Sequence, residues 1–408
     1  MTNQLHPPVF IHVGAPKSGT TYLQERLWHN RDALRHDGFL YPGAHWASHV
    51  WATFDLRRVK MKGYRDPNIN GAWTRMVDEI REFGGPAIID QELLSGAFPK
   101  QIARAMDDLA FADVHIVYTL RDMARTLPAA WQEWVKNRET DDFAGFLEHV
   151  RREKGDRKRT GQLFWNLHDA ELILTKWSQS VAPRNVHVIT LPPAGSNPDI
   201  LWRRFTGVLG IDPTRYPNPP GGANTSLAAP EATVLRRTNI AIGGDEFAWP
   251  VYDRVMKHYL AAELAKRKGP VIAVPPAERE WAVGWCQNVA RFIENAGFDV
   301  VGDLGELAPG PARDGIDPDH ADPAAQADAA VAAAAALVGY IITGGDRDNP
   351  TRIDELEARL DRAERTIREH QELSPTERIK RCVVELAAQV RWIQVLYRGY
   401  RKIVRRAA

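Results

Sequence analysis

The chain has 408 residues, 44% of them apolar and 26% charged. That is the composition of a folded globular protein, and the length exceeds one ordinary domain, so one large α/β domain with an appendage is expected. The net charge of +1 averages an acidic linker and a basic tail, so on its own it excludes no class of partner. Two cysteines, Cys286 and Cys382, without C-x-x-C spacing exclude a disulfide framework and a zinc site.

The start M-T-N-Q-L-H-P-P has neither a basic n-region nor an apolar h-region. No uninterrupted apolar run reaches bilayer length, Ala329–Ile342 coming closest, so a cytoplasmic protein is expected. No internal repeat and no nucleic-acid-binding module is visible, and no metal site is expected.

The first strong pattern is V-F-I-H-V-G-A-P-K-S-G-T-T-Y-L-Q-E-R-L, Val9 to Leu27. An apolar strand, Val9 to Val13, meets a glycine-rich turn, Gly14 to Gly19, and then a helix with Leu23 and Leu27 on one face. Such a turn aims backbone N–H groups and the positive end of a helix dipole at an anion. The nucleotide-triphosphatase loop G-x-x-x-x-G-K-[ST] puts its lysine directly after the second glycine. Here that position is Thr20, and the cation, Lys17, lies inside the turn.

G-A-P-K-S-G-T-T resembles the 5′-phosphosulfate loop of bacterial sulfotransferases that use 3′-phosphoadenosine-5′-phosphosulfate (PAPS). The resemblance implies an α/β fold, a three-layer sandwich like that of P-loop NTPases: a mostly parallel sheet with helices on both faces. It also implies that Ala15, Pro16, Lys17, Ser18, Gly19, Thr20 and Thr21 surround the phosphosulfate, the Ala15–Gly19 amides holding it together with Ser18, Thr20 and Thr21, and Lys17 stabilising the departing phosphate. It covers roughly the first three quarters of the chain.

Farther along, A-H-W-A-S-H-V-W carries His45 and His49 on a loop that borders the acceptor pocket in that family. An amphipathic helix follows, marked by Trp73, Met76, Val77, Ile80 and Phe83 and stopped by Gly84-Gly85. P-A-I-I-D, Pro86–Asp90, reads as a second buried strand running into Gln91 and Glu92. Glu92, or failing it His49, is the candidate base, because the family places its base after this strand and a hydroxyl acceptor must lose a proton. The alternative for Glu92 is charging the first turn of the next helix.

A third strand, Val114–Leu120, delivers R-D-M-A-R-T-L-P-A-A-W-Q-E-W. A strand ending in Arg-Asp resembles the family's 3′-phosphate site, with Arg121 as the forked donor. The family's serine eight residues later is Ala129 here, so Thr126 or Arg125 would replace its hydroxyl. Trp131 and Trp134 read as core or pocket wall. The basic run beginning at Arg151 reads as a solvated face, and Asn185–Leu191 as the strand that completes the sheet.

P-N-P-P-G-G-A-N-T-S-L, Pro217–Leu227, resembles a loop that folds over the nucleotide, with Ser226 read as a helix N-terminal signal. Two long helices near Tyr252–Lys266 and Ala277–Ala296 close the sulfotransferase-like domain, 1–307. A Pro/Ala/Asp-rich linker, 308–328, and a helical tail, 329–408, follow. Ile353, Leu356, Leu360, Ala363 and Ile367 form a two-heptad stripe. Thr376–Ala408 carries nine Lys/Arg against two Glu, a net of +7, on an amphipathic pattern. That tail suits self-association or peripheral contact with the inner membrane surface.

PAPS is thus the expected co-substrate, and a carbohydrate, glycolipid or small metabolite bearing a hydroxyl or amine the expected acceptor. The rival classes are a small-molecule kinase, which needs ATP and Mg²⁺, and a catalytically silent nucleotide-binding or scaffolding protein, which Ala129 favours.

Overall fold

The computed structural model describes residues 6–152, 159–217, 226–243, 247–311 and 314–343. Five strands, β1 (Pro8–His12), β2 (Ala87–Asp90), β3 (Asp113–Leu120), β4 (Val186–Thr190) and β5 (Asp299–Val301), form one sheet in the order β2-β1-β3-β4-β5. Every pairing is parallel: Val9 faces Ala87 and Val114, and Leu120 faces Thr190. The expected α/β fold with a parallel sheet is therefore present. It is wholly parallel, and it does not end at β4 as the sequence suggested. β5 is an edge strand of three residues, D-V-V, too short to announce itself.

Both faces of the sheet are covered, as a parallel sheet requires. Val9, Ile11, Ile89, Ile116, Tyr118 and Val188 point into one buried cluster with Trp73, Trp131 and Trp177. Phe10, Ile88, Val117 and Ile189 point into the other, with Leu23, Leu27, Trp202 and Phe205. Each such side chain contributes about 1.5–3 kcal/mol on full burial. The chain steps from β1 outward to β2, then returns past β1 to β3. The crevice at the carboxyl ends of β1 and β3 is thus a topological switch point, where open α/β sheets hold ligands.

Residues 308–328 differ from the free linker expected. They belong to the compact unit Met1–Arg347. Asp319 accepts hydrogen bonds from the Phe143 and Ala144 amides at a helix start (3.1 and 2.8 Å), and the Pro318 carbonyl accepts from the Thr233 hydroxyl (2.8 Å). Pro318 and Ala321 are buried, and Ile316 packs against the core and exchanges backbone hydrogen bonds with Val271 and Ala273.

The alanine-rich helix starts earlier than expected, at Pro323, because the Asp322 side chain caps the Ala325 amide and proline fits the first helical position. Pro323–Ile342 has twenty residues, and an 18-residue stretch of it has a mean hydropathy of 1.6, enough by length and composition alone to cross a membrane, where the sequence reading found no run of that length. Ala329 and Ala333 are buried, while Val331, Val338, Ile341 and Ile342 are exposed. The heptad stripe, the basic tail, most of the loop Pro217–Leu227 and most of the basic run from Arg151 lie outside the described residues.

Candidate active site

Pairing between β1 and β3 continues past the strand end and shapes the loop. Val13 N–H donates to the Val117 carbonyl (2.9 Å), Ala15 N–H to the Thr119 carbonyl (2.8 Å), and Thr119 N–H to the Gly14 carbonyl (2.6 Å). The sheet thus consumes the Ala15 amide, and Pro16 has none, which corrects the expectation that these two residues donate to an anion. From Lys17 to Thr21 the five backbone N–H groups have no acceptor among the described residues. They sit at the start of the ten-residue helix Thr20–His29, where unpaired donors and the dipole favour a bound anion.

The turn needs its glycines. Gly19 has φ +85°, and a Cβ there would lie 2.5 Å from Leu201; Gly14 has φ +125° against the Glu92 carbonyl. Lys17 itself adopts φ 63°, a left-handed conformation that is uncommon for a side-chain-bearing residue.

Ser18 faces inward. Its hydroxyl donates to the Ala15 carbonyl and lies 2.6 Å from Thr119 Oγ1, and the residue is 1% exposed. Thr119 Oγ1 in turn meets His12 Nε2 (3.0 Å), and His12 Nδ1 meets Asp90 Oδ1 (2.7 Å). Ser18 therefore braces the loop through a buried chain, Asp90–His12–Thr119–Ser18, and is not a hydroxyl offered to the anion. Leaving a buried polar group without its hydrogen-bond partner costs about 1–3 kcal/mol. Asp90→Leu is accordingly expected to lower the unfolding free energy from urea denaturation by at least that order; an unchanged stability would mean that the chain does not hold the loop.

Lys17 Nζ reaches Glu133 Oε2 at 2.8 Å, and the other oxygen of the same carboxylate takes Lys257 Nζ at 3.0 Å. Lys257 also donates to Asn137 Oδ1 (2.8 Å). Burial alone would raise the Glu133 pKa, but Lys17 and Lys257 outweigh it and hold the carboxyl well below its usual range. Lys136, one turn along the same helix, is pulled down by burial despite Glu133, with Lys17 and Lys257 adding repulsion. Glu133, Lys136, Asn137 and Lys257 were not singled out from sequence. The spacing E-x-x-K-N, which puts the first three on one helix face, is the signal that was there.

Glu92 opens the short helical turn after β2, but Gln91 caps it by accepting from the Leu93 amide. The Glu92 carboxylate instead accepts from Gln24 Nε2 at 2.7 Å. Burial raises its pKa, against the opposing hydrogen bond from Gln24 and the positive charge of Lys17. A carboxylate so shifted is suited to proton transfer.

His49 lies on a helix, Ser48–Arg57, and not on the expected loop. Its ring stacks on Tyr41 (centroids 4.3 Å apart), and Nδ1 accepts from the Asp90 amide at 3.1 Å, so the neutral ring keeps its proton on Nε2. That tautomer donates and does not accept, which removes His49 as the fallback base. His45 accepts from the Ala47 amide (3.1 Å) and stacks on Trp51.

Burial pushes His49 down to about 4, against Asp90, and burial with Lys17 nearby pushes His168 down to about 3. Unfolded histidine titrates at about 6.5. Between these values the unfolded chain takes up protons that the native rings refuse, so stability is complete above about pH 6.5 and falls as pH drops. Urea midpoints measured from about pH 7.5 down to 5 are expected to decline; a flat series would contradict neutral native rings.

At the end of β3, Arg121 donates to the Lys17 carbonyl (3.0 Å), tying the arginine to the loop. Asp122 caps the helix Met123–Lys136 by accepting from the Arg125 amide (2.8 Å) and pairs with the Arg125 side chain. The Thr126 hydroxyl donates back to the Asp122 carbonyl (2.9 Å) and is buried, so it does not supply the donor missing at Ala129. Arg121 and Arg125 are the cations at this end. Trp131 is fully buried, as expected of a core residue. Among the described residues no group of three or more His, Cys, Asp or Glu is arranged to hold a metal ion. Comparison with family models, curated proteins and solved structures finds no match to this chain.

Proposed function

We propose that this chain is a PAPS-dependent sulfotransferase, moving a sulfuryl group to a hydroxyl or amine of an acceptor by in-line displacement. The observation that carries the reading is the cation inside the turn. Lys17 begins a run of five consecutive amides without an acceptor among the described residues, and its Nζ rests on Glu133; a cation so placed suits the bridging oxygen of an anion held by the turn, not its terminal group. The amides of Lys17 to Thr21, with the Thr20 and Thr21 hydroxyls, hold the phosphosulfate. Arg121, with Arg125 near it, takes the 3′-phosphate through charge-assisted hydrogen bonds.

As the S–O bond to phosphate breaks, negative charge grows on the departing oxygen. Lys17 leaves Glu133 to meet it, electrostatic stabilisation of the kind seen in phosphoryl transfer. Glu92 takes the acceptor's proton. In an ATP-dependent kinase the lysine would follow Gly19, where this chain has Thr20.

Calorimetry with 3′-phosphoadenosine-5′-phosphate (PAP) and with Mg-ATP tests the class. Tighter binding of the bisphosphate is expected, weakened by Arg121→Met. Binding of ATP but not of PAP rejects the transferase reading, and binding of PAP without transfer to any acceptor in a labelled-sulfate assay points to the silent nucleotide-binding class.

A further inference from the structure

We infer that Lys257 and Lys136, with Asn137, form an anion subsite on the acceptor side of Lys17, and that the acceptor carries a carboxylate, sulfate or phosphate group. This rests on the sulfotransferase reading and narrows its substrate class.

The first argument is charge. Lys17 and Lys257 each take one oxygen of the Glu133 carboxylate, at 2.8 and 3.0 Å, and Lys136, three residues along the same helix, adds a third positive charge near it. The side chains of Lys17, Glu133 and Lys257 are only 30%, 30% and 21% exposed, so water screens them weakly. Once Lys17 turns to the nucleotide, Glu133 answers one of the two remaining lysines. The other is a half-buried cation with one carboxylate too few, a condition that an incoming anion relieves.

The second argument is position. Glu133 lies 11 residues beyond Asp122 and 8 beyond Arg125 on one helix, about 16 Å along its axis from the end of β3 and about 12 Å from Arg125. The cluster therefore stands away from the 3′-phosphate end, at the tip of the Lys17 side chain, where the sulfuryl group is to be handed on.

The third argument is how Lys257 arrives. Asp253–Leu260 is wound as a π-helix between two α-helical segments, a rare form that recurs at functional sites. It delivers Lys257 onto Asn137 and onto the Glu133 carboxylate that Lys17, 240 residues earlier in the sequence, also reaches. A solvated surface lysine requires no such winding.

The test uses the full chain saturated with PAP, which fills the nucleotide positions, and inorganic sulfate as the probe, with chloride at matched ionic strength as the control. Sulfate is expected to raise the melting temperature of the wild type, and Lys257→Met and Lys136→Met to weaken its apparent affinity about tenfold while PAP affinity is kept. No sulfate response above chloride, or equal responses in wild type and both variants, overturns the subsite. Should PAP itself fail to bind, the nucleotide reading falls, and the same titration on a Lys17→Met background, where Glu133 already lacks that lysine, with and without Lys257→Met, decides the subsite. A response lost in Lys257→Met but kept in Arg121→Met supports the subsite, and one lost only in Arg121→Met refutes it.

Discussion

Lys17→Met is expected to lower the rate of sulfuryl transfer by about 10²–10³, the loss found when a single preorganised charge-stabilising donor is removed from a reaction centre. The substitution keeps the length of the stem and its φ of 63°, so the loop backbone is not asked to change. Glu133 loses one cation and keeps Lys257 at 3.0 Å, so it remains paired and the fold should persist. The loss should fall on turnover, because the five amides and Arg121 still hold the nucleotide; PAP affinity by calorimetry should change far less than the rate. Lys17→Arg is not a rescue, since a planar fork cannot occupy the point that an ammonium fills inside the turn. A Lys17→Met enzyme at wild-type rate would take the lysine out of the mechanism and remove the main support for the transferase class. Glu133→Gln gives the complementary test: it frees Lys17 without deleting it, so turnover should stay well above that of Lys17→Met.

The sheet was legible because four of its strands are continuous apolar runs, and the loop because its glycines, proline and lysine are neighbours in sequence. What stayed hidden depends on distant partners. Ser18 looks like an anion ligand until Thr119, 101 residues away, is seen to hold its hydroxyl inward. Ala15 looks like an amide donor until the same threonine's carbonyl claims its N–H. Glu133 appears as one more helix glutamate until Lys17 reaches it across 116 residues. The segment 308–328 reads as a linker by composition, and Asp319 belies that with two backbone hydrogen bonds that no local pattern encodes. The π-helical turn at Asp253–Leu260 keeps an ordinary helical pattern of apolar residues, so its altered winding left no mark on the sequence. The resemblance puts His49 on a loop, yet the residue belongs to the helix Ser48–Arg57, its ring packed on Tyr41 and bonded to the Asp90 amide, a partner far away in sequence.

Glu92→Gln is expected to reduce turnover by about 10²–10⁴, the usual worth of a positioned general base. The amide still accepts from Gln24, so the local hydrogen bond is kept while proton uptake is lost. Nucleotide affinity should be unaffected, because Glu92 stands after β2 and the nucleotide donors lie after β1 and β3. The pH profile separates a base from a residue that merely fills space. Burial holds the Glu92 pKa above its ordinary value, so the wild-type rate should rise with pH as the carboxyl ionises at that raised value, then level off. Gln24 stabilises the charged form, so Gln24→Leu should push the acidic limb to still higher pH while preserving the plateau rate. Glu92→Gln should abolish the limb altogether. His49→Phe should leave the limb where it is, since a ring held neutral down to about pH 4, with its Nδ1 lone pair taken by the Asp90 amide, contributes no titration in that range. A limb that follows His49 and ignores both Glu92 and Gln24 would transfer the proton to the imidazole and require the ring to turn away from Asp90 before the acceptor can react.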